Sequence, residues 1–357
     1  MPAPESTERA VPVGDLEDGP AVPAQPIVSI CIPTYNRREL LGRCLDSVLP
    51  QTAGMPAEVI VIDNASTDGT EAAMKGYLER YPNLSYYRNP KNLGYAGQGK
   101  CFEYGRGRYT AILCDDDVYA PDALETMIPI LSRGDFSFVA LNYYGFDTDP
   151  AERRRGSAAP EEDIEAKDAL EIWDYPSVGH YSGLVLNTQE ARLAMPEVWK
   201  TFTMEQYQQF RGCLIAVVIH TIKRSKLPGY FIGKRIMGAG RPPVIDYDSL
   251  RHICMDTYFA LDAFVKKGLL PEERIQRRKV EVLALLPKAL VRNGGFLDRA
   301  ELERVSGQLH GWFDGDPRFA KSARILYWLK YWPVRAIFRL AVSAYRLTGG
   351  LRGPVNG

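Results

Sequence analysis

Apolar runs alternate with helical patterns between residues 26 and 131, and few fold classes accommodate this alternation. The runs PIVSICIPTY, EVIVID and YTAILC are nearly continuous in apolar residues, and a polar loop follows each of them. Leucine and valine at helical spacing follow the first run. Strands that are buried on both faces and joined by helices form a parallel sheet with helices on either side. The sequence therefore predicts an α/β protein with a mainly parallel sheet.

Polar clusters stand where each of these strands should end. PTYNRR closes the first strand, DNASTDGT closes the second, and DDD follows the strand that begins at Tyr109. Open α/β sheets bind ligands at the carboxyl ends of their strands. We therefore expect the three clusters to contribute to one site.

The cluster of three consecutive aspartates has two interpretations. Adjacent carboxylates repel each other, and a divalent cation removes that repulsion. Mg²⁺ and Mn²⁺ prefer carboxylate oxygens together with substrate phosphates. An exposed acidic turn is the alternative, but the run caps a buried strand, which favours a cation site. His180 and His252 could each complete a metal shell, although neither has ligand spacing to a second donor.

The first two clusters offer contacts for a nucleotide. Asp63 ends a buried strand and needs a donor, which is either a base N–H or a backbone N–H of the protein. Tyr35 could stack on a base, and Arg37 could meet a phosphate. Thr67 and Asp68 fit a helix cap at least as well as a ligand contact.

Composition excludes several classes of protein. The 357 residues contain 44 Lys and Arg against 44 Asp and Glu, so charge does not indicate a nucleic-acid partner. Six scattered cysteines without a CxxC pair argue against a zinc ribbon or a disulfide framework and suit a reducing compartment. We find no signal peptide and no run of about 18 apolar residues that could span a membrane. The sequence predicts a cytoplasmic protein.

We divide the chain into three regions. Residues 1–26 are expected to form a disordered leader, 27–245 a catalytic domain, and 246–357 a C-terminal helical region. The last region ends in a basic, aromatic-rich amphipathic segment over 322–347, which Pro333 should break into two helices. This segment could lie at the inner face of a membrane, or it could pack on the catalytic domain or a second subunit.

Four segments resemble family 2 glycosyltransferases of the GT-A fold. They are VSICIPTYNRRELLGRCLDSVLPQT, VIVIDNASTDGT, NPKNLGYAGQGK and AILCDDDVYAPDAL, in this order. The resemblance covers about residues 27 to 131. It implies a Rossmann-like GT-A domain with a mixed, mainly parallel sheet, in which 27–131 bind the nucleotide and 132–245 bind the acceptor.

The resemblance also implies which residues hold a nucleotide-sugar donor and its Mn²⁺ or Mg²⁺. Alignment on VYAPDAL places Cys114 where many members have the first aspartate of their DxD-type motif. Asp115 is then expected to contact the ribose, and Asp116 becomes the main metal ligand with Asp117 beside it. The expected nucleotide contacts are Pro33, Thr34, Tyr35, Asn36, Arg37, Asp63, Asn64, Ser66, Asn92, Gly94 and Asp115.

A family member of this type needs a carboxylate base for the acceptor hydroxyl, downstream of the metal motif. Glu205 in TFTMEQYQQF is the first candidate, followed by Asp174 and Glu197. Glu205 fits equally well as a first-turn helix residue that the helix dipole stabilises.

The predicted activity is metal-dependent transfer of a sugar, with inversion, to a hydroxyl of a saccharide, a lipid-linked acceptor or a secondary metabolite. Inversion follows from the resemblance alone. One alternative is a sugar nucleotidylyltransferase, which should carry an early glycine-rich phosphate loop that IPTYNRREL lacks. The other is a protein that binds a nucleotide sugar without catalysis.

Overall fold

The computed structural model describes residues 26–154, 156, 159–173, 180–203, 212–240, 257–293 and 296–347. The chain divides into two compact units, Met1–Ile245 and Asp246–Gly357. The expected disordered leader lies outside the described residues, except for Pro26.

A mixed sheet forms the centre of the first unit. Its described strands follow the order β3-β2-β1-β4-β8-β6-β9-β5, and β7 pairs with β9. The strands are β1 (Val28–Thr34), β2 (Ala57–Asp63), β3 (Leu84–Arg88), β4 (Tyr109–Ile112), β5 (Val118–Tyr119), β6 (Phe138–Phe146), β7 (Ile164–Ala166), β8 (Leu184–Asn187) and β9 (Gly229–Gly240).

The nucleotide-binding half of the expected fold is parallel. Strands β3, β2, β1 and β4 pair in parallel, with Thr34 opposite Asp63 and Asp63 opposite Arg88. Nearly every residue of β1, β2 and β4 is buried, because helices cover both faces of this part of the sheet. The predicted apolar runs are therefore confirmed as central strands.

Antiparallel strands complete the sheet. Strand β8 lies between β4 and β6 and runs antiparallel to both. Strands β6 and β9 pair in parallel, while the short strands β5 and β7 pair antiparallel with β9. The predicted mixed sheet is confirmed, and the antiparallel pairing of its described strands begins between β4 and β8.

The connections between the strands contain helices that cover the sheet. They are α1 (Arg38–Val48), α2 (Thr70–Arg80), α3 (Lys100–Tyr104), α4 (Ala123–Ser132), α5 (Ala169–Trp173), α6 (Thr188–Thr201) and α7 (Gly212–Arg224). On α1, Leu41, Cys44, Leu45 and Val48 are buried, as the helical spacing predicts. The core combines this face with apolar residues of β1, β2 and β4.

Two connections depart from regular helix and strand. The glycine-rich segment after β3 forms a 3-10 turn at Gly94–Gly99 and only then α3. Three glycines within six residues weaken the α-helix there. The strand that begins at Tyr109 ends at Ile112, and Asp115–Asp117 form a turn before β5.

The second unit is helical. Its described helices are α8 (Thr257–Lys266), α9 (Glu272–Asn293), α10 (Arg299–Phe313), α11 (Ala320–Leu329) and α12 (Trp332–Leu347). A capping box starts α10, since Asp298 and Glu301 each accept the other's backbone N–H. The predicted break near Pro333 lies between α11 and α12, and the proline occupies the first turn of α12, where its missing N–H costs little.

Within the described ranges, every helix is too short or too polar to cross a bilayer.

Candidate active site

The ends of β1 and β2 and the turn after β4 bring the three predicted clusters together. Parallel pairing of β1 with β2 and β4 places Thr34, Asp63 and the turn at Asp115 at one edge of the sheet. Three hydrogen bonds between the clusters join residues 81, 30 and 78 positions apart. The expected convergence at the carboxyl edge is therefore present in the structure.

Asp115 is held by two side chains from the end of β1 and the loop after it. Its Oδ2 accepts a hydrogen bond from Thr34 Oγ1 at 2.8 Å, and its Oδ1 lies 3.0 Å from Arg37 Nη1. Burial raises the pKa of Asp115 to about 6, while the Arg37 guanidinium pulls it down and the neighbouring Asp116 carboxylate pushes it up. Asp115 is thus a mainly ionised acceptor at neutral pH.

Asp116 is the least buried of the three aspartates, with 20% of its side chain exposed. Its Oδ2 lies 3.4 Å from Arg37 Nη1, so one guanidinium bridges Asp115 and Asp116. The backbone carbonyl of Asp116 accepts a hydrogen bond from Arg43 Nη2 at 3.2 Å. This anchor holds the backbone of the turn, while the Asp116 carboxylate is partly exposed.

Asp117 is buried and held by the protein itself. Its Oδ1 accepts the Gly240 N–H at 2.8 Å, and its Oδ2 accepts the Ser182 hydroxyl. His180 Nδ1 lies 3.6 Å from the same Oδ2. Burial raises the pKa of Asp117 to about 6, opposed by His180 and reinforced by Asp116.

A cation could fit between these side chains. Ligand atoms of Cys114, Asp116 and Asp117 all lie within 4.8 Å of one another. Two carboxylates suit Mg²⁺ or Mn²⁺. Burial and the adjacent carboxylates raise the pKa of the Cys114 thiol well above its ordinary value, so the oxygens rather than the sulfur are the available anionic ligands.

Asp63 occupies the interior of the protein. It is fully buried, and it accepts hydrogen bonds from Ser66 N at 2.9 Å, Tyr86 Oη at 2.5 Å and Arg88 Nη1 at 2.7 Å. Of the two predicted kinds of donor to Asp63, the structure shows the one from the protein itself. A contact between Asp63 and a base stays a prediction, and it would have to use the remaining acceptor capacity of this carboxylate.

Asn64 joins the end of β2 to the loop over residues 89–94. Its Nδ2 donates to Asn92 Oδ1 at 2.7 Å and to the Gly94 carbonyl at 3.2 Å. Its Oδ1 accepts the Leu93 N–H at 2.9 Å. These bonds shape the predicted Asn92–Gly94 turn, and the nucleotide contacts proposed for Asn64, Asn92 and Gly94 stay predictions.

Asn36 and Ser66 are also brought together. The Asn36 N–H donates to Ser66 Oγ at 2.9 Å, and Asn36 Oδ1 accepts the Thr67 N–H at 2.7 Å. Asn36 has a φ of 52°, a left-handed conformation that asparagine tolerates better than most residues. The loop after β1 thus turns back on the loop after β2, with Pro33 partly buried and Tyr35 44% exposed beside it.

Most of the expected base candidates lie outside the part of the chain that is described. Glu205 and Asp174 belong to this group. Glu197 is described: it lies on α6, forms an ion pair with Lys200 at 2.7 Å, and Lys200 lowers its pKa. A carboxylate with a lowered pKa has a lower proton affinity, so Glu197 is poorly suited to act as the general base.

Sequence reasoning missed several partners of the aspartate turn. Arg43, Ser182 and Gly240 each bind it, and His180, which we set aside for lack of ligand spacing, lies beside Asp117. His180 and Asp117 are 63 positions apart in the sequence, so spacing carries no signal of this pair. The insertion of β8 next to β4 brings them together.

Known proteins resemble the chain in both sequence and fold. Residues 29–186 match the family model described as Glycosyl transferase family 2. Abequosyltransferase RfbV of Salmonella typhimurium is 38% identical over 104 residues, which are 28% of this chain and 30% of that protein. Glycosyltransferase GlyG of Streptococcus pneumoniae is 28% identical over 123 residues, which are 34% of this chain and 40% of that protein.

The structural comparison extends further along the chain. The crystal structure of S. aureus TarS 1-349 in complex with UDP-GlcNAc matches with a TM-score of 0.56 and 15% identity, over 90% of this chain and 92% of TarS 1-349. It supports the predicted GT-A fold. The chain spans between about a third and a half of the length of the curated relatives that it matches. Residues 29–186 are therefore similar to glycosyltransferase family 2.

Proposed function

We propose that the protein is a metal-dependent, inverting glycosyltransferase that uses a nucleotide-sugar donor and a hydroxyl acceptor. The observation that carries this proposal is the convergence of Thr34, Arg37 and the three aspartates at the carboxyl edge of the sheet. The match of residues 29–186 to the family 2 model supports the reaction class. The UDP-GlcNAc complex of a protein with a similar fold is in keeping with a donor of this kind.

The two halves of the first unit contribute different groups to the site. Residues 27–131 contribute the strand ends and the aspartate turn, and we propose that they bind the nucleotide. Residues 132–245 contribute His180, Ser182 and Gly240 from the far side of that turn. We propose that this half receives the acceptor.

Arg37 can serve the donor in two ways. Without a ligand, its guanidinium neutralises Asp115 and Asp116. About a third of its side chain is exposed, so it can also reach a phosphate oxygen. In the proposed complex, Asp115 accepts hydrogen bonds from ribose hydroxyls, and Tyr35 offers an exposed ring on which a base can stack.

Asp116 and Asp117 are the proposed ligands of the divalent cation. The Asp116 carboxylate is partly exposed, which allows entry, whereas Asp117 is oriented by Ser182 and Gly240. The chemistry that a bound Mn²⁺ or Mg²⁺ supplies is neutralisation of the charge on the departing diphosphate. His180 places a ring nitrogen 3.6 Å from Asp117 Oδ2.

Inversion requires a base on the face of the sugar opposite the diphosphate. The acceptor hydroxyl must lose its proton as its oxygen attacks the anomeric carbon. We propose Glu205 for this role and Asp174 as the second candidate. Their carboxyl groups would take the proton directly from the acceptor.

The test is a screen of nucleotide sugars that measures release of nucleoside diphosphate by the full chain, with and without a saccharide acceptor. We expect one donor to be turned over in Mn²⁺ or Mg²⁺ and release to stop in EDTA. Full activity in EDTA would contradict the metal proposal. Tight binding of a donor without release, under every acceptor condition tried, would contradict catalysis.

A further inference from the structure

Helices α11 and α12 expose an unusual number of large apolar side chains. Tyr327, Trp328 and Tyr331 lie at the end of α11 and in the turn after it, and about half of each side chain is exposed. Trp332 begins α12 and is 72% exposed. A cluster of large exposed rings is more typical of a binding surface than of the rest of a protein surface.

Helix α12 is apolar on two opposite sides. Phe338 packs against the core of the second unit, and Val342 is buried. Ile337 and Leu340 are 62% and 70% exposed. Residues 337 and 340 share one helix face, and residues 338 and 342 share another. The core therefore accounts for one apolar face and leaves the other uncovered.

The charge of this segment has a single sign. No Asp or Glu follows Asp316, whereas eight Lys and Arg do, in a chain whose formal net charge is zero. Arg324 and Lys330 are exposed next to the aromatic side chains. Acidic residues are thus concentrated elsewhere, and the end of the chain is strongly basic.

We infer that this surface, defined as residues 324–340 of α11 and α12 and called the α11–α12 surface, binds an anionic lipid bilayer. Exposed aromatic rings suit the level of the headgroups, and Ile337 and Leu340 can enter the acyl boundary. Lysine and arginine are attracted to acidic headgroups. Helix α12 has 16 residues and is about 24 Å long, which is too short to span a bilayer, so the helix would lie in the plane of the membrane interface.

A second copy of the chain fits the surface less well. In a symmetric dimer the same patch would face itself, and its basic residues would be brought together without acidic partners from the segment. A bilayer rich in acidic lipid satisfies both the apolar and the basic side chains. The inference does not depend on the proposed transferase activity.

The test is co-sedimentation of the full chain with vesicles of phosphatidylcholine, with or without a third of phosphatidylglycerol. We expect binding to the anionic vesicles that weakens as salt rises, and weak binding to phosphatidylcholine alone. The triple variant Trp332→Ser, Ile337→Ser, Leu340→Ser should reduce the partition coefficient by roughly tenfold or more. Leu193→Ser with Val280→Ser, which removes exposed apolar side chains elsewhere, should leave it unchanged.

Charge is tested separately. Arg324→Glu with Lys330→Glu should weaken binding to anionic vesicles by roughly tenfold or more. Lys75→Glu with Lys267→Glu makes the same change in charge at exposed positions elsewhere and should have a much smaller effect. All four sites are exposed, and circular dichroism checks that the variants fold.

Three results would overturn the inference. The chain could remain in the supernatant with anionic vesicles, or the variants could bind as the wild type does. Light scattering could also show a dimer in free solution that the triple variant dissociates. That last result would assign the surface to self-association.

Discussion

Replacing Gly240 with alanine should disrupt the aspartate turn. A Cβ at Gly240 would fall far inside the van der Waals distance of the Asp116 carbonyl oxygen and would lie 2.9 Å from Phe146 Cζ. Neither group can move away easily, because one is backbone and the other is fully buried. The strand carrying Gly240 would have to shift, and the hydrogen bond from its N–H to Asp117 would be lost or lengthened.

The loss of stability in Gly240→Ala can be worked out from these contacts. Overpacking in a well-packed site costs about 1–3 kcal/mol. A hydrogen bond to a charged, buried acceptor contributes about 1.5–3 kcal/mol. We therefore expect Gly240→Ala to lower the free energy of unfolding by about 3–5 kcal/mol and to weaken divalent-cation binding by at least tenfold.

Urea denaturation and calorimetric titration with Mn²⁺ measure the two effects. Gly76→Ala is the matched control in the same unit, because no atom lies within 4 Å of a Cβ there and Gly76 is inside α2. Alanine at this position should stabilise the unit by about 0.5–1 kcal/mol. A Gly240→Ala protein within 0.5 kcal/mol of the wild type, with unchanged Mn²⁺ affinity, would refute this account of the turn.

Three further outcomes follow from the site. Because folding raises the pKa of Asp115 from 3.8 to about 6, its contribution to stability is present below pH 3.8 and lost as the pH rises through 6; without a divalent cation, the urea stability of the wild type should fall by about 3 kcal/mol more than that of Asp115→Asn between these limits, and equal pH profiles of the two proteins would contradict the burial of this carboxyl. Asp63→Asn should lower the free energy of unfolding by about 2 kcal/mol, measured by urea denaturation, because Arg88 loses its charged partner. Unchanged stability would show that the network around Asp63 is weak. Glu205→Gln should lower the rate of transfer roughly a hundredfold at unchanged donor affinity, whereas Asp174→Asn should have a much smaller effect; the reverse order would move the base to Asp174.

Local pattern was enough to predict the parallel half of the sheet. The apolar runs of β1, β2 and β4 are nearly continuous, and burial on both faces is what such runs require. The polar residues that follow them could be placed at one edge by topology alone. The sequence therefore predicts that Thr34, Arg37 and Asp115 lie in one site, and hydrogen bonds connect them in the structure.

The partners of these residues could not be predicted, because they come from distant parts of the chain. Strand β8 has four residues and lies between β4 and β6 only through long-range pairing, which periodicity does not record. Gly240 and Ser182 reach Asp117 from 123 and 65 positions away. Asp63 illustrates the same limit: its position at a strand end was clear, but Tyr86 and Arg88 as its partners were not.

The central claim is that Asp116 holds a divalent cation needed for sugar transfer, and Asp116→Asn tests it most directly. The substitution keeps the size of the side chain and removes its charge, while the backbone carbonyl stays available to Arg43. Glu125→Gln, at an exposed position of α4, is the control. We predict that Mn²⁺ affinity, measured by calorimetry, and donor turnover, measured as release of nucleoside diphosphate, both fall at least a hundredfold in Asp116→Asn and stay unchanged in Glu125→Gln. Turnover by Asp116→Asn near the wild-type rate would contradict the claim.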